Sequence, residues 1–262
     1  QVGITEGKTV HYSESRQLME LVVLLDENET QDRVVAFDQI LLKEGAILRH
    51  DSLPFTLNIR QFYPNSDLKM KAADSGGSVV THGVGKNIDI VPWPIYKKDD
   101  LRNIVSVVVE VVSDSTSSGT WLLSNGLTDA QSFTFQGVDY RLIVRPVRYY
   151  FPFSMTLLDF SHDRYIGTDI AKNFSSRVRI QDSVSDVPFE ALIYMNHPLR
   201  YEGLTFYQAS FGENDTLSVL QVVRNAAWWI PYLSSLLMFI GLLLQFGIHL
   251  AGFLRKRRHE KI

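Results

Sequence analysis

The sequence contains no cysteine among its 262 residues. That excludes disulfide staples, thiol redox chemistry and cysteine-ligated metals within the chain, so any thiols it works beside belong to another protein. Zinc-type histidine spacing is missing, and no serine sits in a nucleophile elbow. No enzyme constellation is legible. A basic surplus is missing too: 20 Lys+Arg and 28 Asp+Glu precede Arg224, an acidic balance that argues against a nucleic-acid partner. Residues 1–16 are polar and lack the charged-then-apolar order of a secretory signal. Before residue 226 there is also no sustained helical periodicity.

The one long apolar run is 226–254, which has no Asp, Glu, Lys or Arg between Arg224 and Arg255. A helix needs about 20 such residues to cross the hydrocarbon core, so this stretch reads as a transmembrane helix. Trp228, Trp229 and Tyr232 stand at its start, where amphipathic rings favour the headgroup layer, and the basic tail 255–262 follows. Positive charge marks the cytoplasmic side, which places residues 1–223 outside the cytoplasm on an inner, plasma or thylakoid membrane. Export of that acidic portion implies that translation starts upstream of Gln1. Gln245 and His249, four apart, share one helical face close to Gly241 and Gly252. A polar, small-residue stripe in lipid implies a helical membrane partner.

Ahead of the anchor the signals are those of strands and turns. Phe55, Leu57 and Ile59 alternate with Thr56, Asn58 and Arg60, the period of a half-buried strand. Residues 104–112 are nearly all β-branched and read as a central strand. Short apolar runs at 17–25 and 34–42 are separated by a charged break. Three strands fit 132–158, and shorter runs at 178–180, 189–194, 204–207 and 217–223 continue the pattern. The Gly- and Ser-rich stretch 72–87 reads as a loop or hairpin; its Gly83-Val84-Gly85-Lys86 lacks the spacing of a phosphate loop. Fold class is therefore mainly β, an antiparallel sandwich-like exterior domain on one C-terminal helix. Pro54-Phe55-Thr56-Leu57 is echoed by Pro152-Phe153-Ser154-Met155, with matched residue types following each. Two repeated β units, about 1–100 and 101–223, are one reading of that echo; chance among strands is the other.

Histidines supply the candidate ligands. His249 reads as a haem or metal ligand, or else as an interfacial histidine near the cytoplasmic headgroups. His197, held extended by Pro198, reads as an exterior haem ligand or as a surface turn residue. Trp228 and Trp229 offer a flat apolar platform for a porphyrin, or form an interfacial belt. Asp159, His162 and Asp163 read as a metal or proton-transfer cluster, or as a polar loop at a strand end.

Several stretches together carry a family resemblance. They are Arg145 with Tyr149-Tyr150, Leu158-Asp159-Phe160, Asn173-Phe174-Ser175-Ser176, Met195-Asn196-His197-Pro198-Leu199-Arg200-Tyr201, Thr205-Phe206-Tyr207-Gln208 and Gln221-Val222-Val223-Arg224-Asn225, followed by the membrane helix. In that order they resemble the ResB-like cytochrome c biogenesis proteins, firmly over the last half of the chain and loosely before it. The resemblance implies a System II membrane protein that, with a ResC/CcsA-like partner, carries haem b across the membrane and presents it to apocytochrome c. It further implies membrane helices ahead of the exterior domain, which this chain does not show, so no ligand histidine from those helices transfers. A structural subunit of a larger membrane complex, binding only proteins, is the rival reading.

Overall fold

In the computed structural model, residues 1–28, 31–71, 79–96, 101–113, 116–164, 171–182, 187–212 and 216–259 are described. In chain order the strands are β1 (Val2–Thr5), β2 (Thr9–Asn28), β3 (Gln31–Asp38), β4 (Ile47–Leu48), β5 (Thr56–Tyr63), β6 (Ser66–Met70), β7 (Ile88–Pro92), β8 (Ser106–Ser113), β9 (Thr116–Ser124), β10 (Gln131–Phe135), β11 (Val138–Arg164), β12 (Ala171–Asp182), β13 (Phe189–Tyr194), β14 (Leu199–Tyr201), β15 (Leu204–Gly212) and β16 (Leu217–Arg224). One helix follows, α1 (Ile230–His259). The mainly β reading with a C-terminal helix is borne out.

The chain forms two compact units, one of residues 1–3, 9–155 and 181–187, the other of 4–8, 156–180 and 188–262. Strand β11 supplies residues to both. In the first unit β4, β5, β8 and β9 form one sheet in that order, while β3, β2 and the first part of β11 are neighbours in another, with β10 paired to β11. Their inward residues alternate, as a half-buried pleat requires. Leu21 and Val23 of β2, Leu57 and Ile59 of β5, Val107 and Val109 of β8, and Leu142 of β11 make one buried cluster. The opposite face of β8 is covered as well: Val108 packs with Val80 and Leu122 beneath Leu68, Ile88 and Ile90 of the β6–β7 hairpin. A strand buried on both faces needs no alternation, which is why 104–112 reads as continuous valine.

In the second unit β1, β16, β15 and β14 lie in that order, and β12 pairs with β13. Leu157, Val178, Ile180, Ile193, Phe206 and Leu220 are its buried apolar residues. Every described residue of α1 up to Phe253 is solvent-exposed. Its Ile230–Phe253 segment is long and apolar enough to cross a membrane, and burial in lipid accounts for an apolar surface that no protein covers.

Two expectations are corrected. The run 132–158 holds two strands rather than three: a short β10, then one 27-residue strand, β11, that continues through Pro146 and Pro152. Asp159 and His162 therefore lie on a strand and not in a loop. Three apart on a pleat, they point to opposite faces, which rules them out as one cluster. Asp159 reaches Arg177 at 3.6 Å, while the His162 ring stacks on Phe211 at 5.1 Å between centroids. The side chain of Asp163 lies outside the described residues.

Candidate functional site

The β13–β14 hairpin is the element that builds the site. Tyr194 and His197 bond each other's backbone, the His197 N–H donating to the Tyr194 carbonyl at 3.0 Å, across the two-residue turn Met195-Asn196. Asn196 takes φ +64°, a left-handed conformation that asparagine tolerates better than most side chains. Closing the turn brings the two rings face to face, with centroids 4.7 Å apart and planes 13° from parallel. Pro198 then directs the chain into β14, where Leu199 pairs with Phe206 and Arg200 with Thr205 of β15.

Beside this hairpin lies an open cleft of about 540 Å³ lined by Phe174, Tyr194, Met195, Arg200, Tyr207 and Gln208, among others. His197 is not part of the lining and meets the site only through its stack on Tyr194. The exposed Arg200 guanidinium has no carboxylate partner among the described residues, so it remains available to an anion. Met195 contributes a half-exposed thioether.

Gln208 is fixed from beneath. The Ser176 hydroxyl donates to its Oε1 at 2.7 Å, and its Nε2 donates to Ser218 Oγ at 3.0 Å. Ser176 and Ser218 are themselves 2.7 Å apart. With Ser218 donating to Ser176, the three side chains close a ring of hydrogen bonds in which every donor finds an acceptor. Both serines are fully buried, and a buried hydroxyl without such a partner is costly. The ring holds Gln208 at a point where β15 shifts register against β16, between Gln208 and Ser210.

Residues 104–219 match the ResB-like family, a stretch that contains the whole cleft, its hairpin and the Ser176–Gln208–Ser218 ring. The chain is ResB-like. It is also similar to Protein NrfI of Wolinella succinogenes, 33% identical over 92 residues, which cover 35% of this chain and 10% of that protein. The ResB-like chain thus aligns with a small part of that relative's length.

The four residues singled out from sequence fall in separate places. His197 stands at the cleft's edge. His249 lies in α1, where the Gln245 amide donates to its Nε2 at 2.8 Å, so the shared helical face read from their spacing is real and the two polar groups partner each other. Trp228 and Trp229 precede α1 and are exposed, Trp228 meeting Tyr232 edge-on at 6.1 Å. No hydrogen bond or ring contact joins His197 to any of these three among the described residues. Sequence reasoning passed over Met195, Arg200 and Tyr207 as site residues although each stands in a stretch that carries the resemblance. Their convergence depends on the β13–β14–β15 pairing, which no local spacing announces. Among the described residues no group of three or more His, Cys, Asp or Glu is placed to hold a metal ion.

Proposed function

We propose that this ResB-like chain is a membrane-anchored cytochrome c biogenesis factor that holds haem as cargo and presents it for attachment to apocytochrome c, beside a ResC/CcsA-like membrane partner. The observation that supports this reading is the enclosure of the cleft by the ResB-like stretch. Its residue chemistry suits a flat dianionic macrocycle. Phe174, Tyr194 and Tyr207 offer aromatic surface, Arg200 offers a guanidinium for a propionate, and Met195 offers a polarisable sulfur. The contribution to the reaction is positioning, keeping the haem edge where the thiols of apocytochrome meet it, rather than acid–base work by the chain's own groups. An open cleft fits cargo that must leave.

Titration of the detergent-extracted full chain with haemin, followed by absorption, tests this. Binding is expected, weakened about tenfold in Arg200→Ala, since a charge-assisted hydrogen bond contributes roughly 1.5–3 kcal/mol. Equal binding by the wild type and a Tyr194→Ala/Arg200→Ala variant would contradict the assignment of the cleft. No haemin binding by the wild type would contradict haem holding by this chain altogether.

A further inference from the structure

In the first unit the segment 79–83 lies against β9 and carries His82. Its backbone is pinned there, the Thr81 and His82 N–H groups both donating to the Thr120 carbonyl. The His82 ring stacks on Trp121 with centroids 4.9 Å apart and planes 25° from parallel. Two glycines make this placement possible. Gly119, at φ +132°, lies where a Cβ would come within 2.2 Å of His82 Nδ1, and Gly83, at φ +70°, where one would come within 2.2 Å of Gln131 Oε1. Gln131 in turn accepts the Val84 N–H at 3.0 Å. Both sides of His82 are thus closed to any residue bearing a Cβ, which marks the ring's position as built into the fold.

The hydrogen bonds around the ring decide its tautomer. Thr120 and Thr81 exchange backbone-to-hydroxyl bonds, Thr120 N–H to Thr81 Oγ1 at 2.8 Å and Thr81 N–H to Thr120 Oγ1 at 3.0 Å. The Thr120 hydroxyl donates to the Val79 carbonyl. The Thr81 hydroxyl, 3.2 Å from Thr120 Oγ1, then donates to it. Thr81 Oγ1 is left to accept from His82 Nδ1–H at 2.8 Å. This is the one assignment in which every group is satisfied, and it leaves the lone pair on Nε2. A histidine oriented through Nδ1–H with Nε2 unprotonated is the usual arrangement of a metal-ligating imidazole. The ring borders an open cleft of about 280 Å³ whose apolar wall is Trp121 and Phe133 and whose rim carries the hydroxyls of Ser118, Ser132 and Thr134.

We propose that His82 Nε2 is an axial ligand for the iron of a metalloporphyrin whose edge enters this cleft, a site separate from the one at Tyr194 and Arg200. The step is coordination alone: the Nε2 lone pair forms the bond to iron, a water or weaker ligand leaves, and neither a proton nor an electron moves. The inference rests on the haem-cargo reading, and its test separates the two. Haemin is titrated into the full chain in detergent, and the spectrum of the bound form is compared among the wild type, His82→Phe, which keeps a ring on Trp121 and removes the ligand, and Thr81→Val, which removes the acceptor that orients it. The imidazole-ligated component is expected to vanish in His82→Phe and to weaken about tenfold in Thr81→Val, as loss of an orienting partner usually does. Thermal melts close to that of the wild type show that the variants fold; Thr81→Ser restores the acceptor and is expected to restore binding. An unchanged spectrum in His82→Phe, with binding lost in Arg200→Ala, overturns this site and leaves the cleft of the second unit standing. Absence of haemin binding in the wild type overturns both. Ni²⁺ binding that depends on His82 without haemin binding overturns the porphyrin assignment in favour of a bare metal ion.

Discussion

Arg145 was legible as a residue of the family resemblance, but its partner was not. Arg145 Nε donates to Glu20 Oε1 at 2.9 Å, with both side chains about one-tenth exposed. The pair joins residues 125 positions apart, a separation that no periodicity encodes. Breaking it strands a buried carboxylate, so Arg145→Met is expected to lower unfolding free energy by about 3–5 kcal/mol, measured by urea denaturation. Glu20→Leu/Arg145→Met should lose less, because no charge is then left unpaired. Glu110 makes a different case. Burial pushes its carboxyl pKa up, but hydrogen bonds from Ser117, Arg60 and Asn58 and the Arg60 charge outweigh burial and hold it below the usual carboxylate value. A carboxyl depressed on folding contributes stability above its unfolded pKa, near 4.3, and that contribution fades as pH falls through the folded value. The melting temperature of the wild type should therefore exceed that of Glu110→Gln at pH 7, with the gap closing as the pH is taken below about 4. A gap independent of pH would contradict the assignment.

Among the elements, those whose sequence period matched their burial were the legible ones. Phe55, Leu57 and Ile59 are all buried, as their alternation implies, and β8 is the central strand that its valines suggest. Length was read poorly where one strand passes between cores. β11 reads as three pieces because its apolar pattern restarts along the way, and β2 runs on past both ends of the apolar stretch 17–25. The site hairpin was half legible: Asn196-His197-Pro198 announced a turn, but the facing of Tyr194 and Arg200 with Tyr207 follows from cross-strand register. His82 was hidden inside a glycine-rich stretch that looks like plain loop, because its meaning lies in the close approach of Gly119, a third of a hundred residues on. For α1 the composition sufficed. Leu243→Arg places a charge mid-span and is expected to disfavour insertion by about 2.5–3.5 kcal/mol, read as a fall in the membrane fraction after alkaline extraction. Full retention in the membrane would contradict a spanning role for the helix.

At the scale of the whole molecule, a cysteine-free, mainly β chain with two separately packed units and one apolar helix carries little chemistry of its own and a good deal of shaped surface. Two open aromatic clefts, one in each unit, suit a molecule that receives and releases a planar cargo better than one that transforms it. The central claim is participation in cytochrome c biogenesis, and its most direct test is the covalent c-type haem content of cells depleted of this protein, read by haem staining of denatured membrane and soluble fractions. The account predicts that c-type haem falls while apocytochrome is still made, and that the wild-type chain restores it but a Tyr194→Ala/Arg200→Ala variant, present at equal level in the membrane, does not. Normal c-type haem in the depleted cells would contradict the account and favour a structural subunit of another membrane complex.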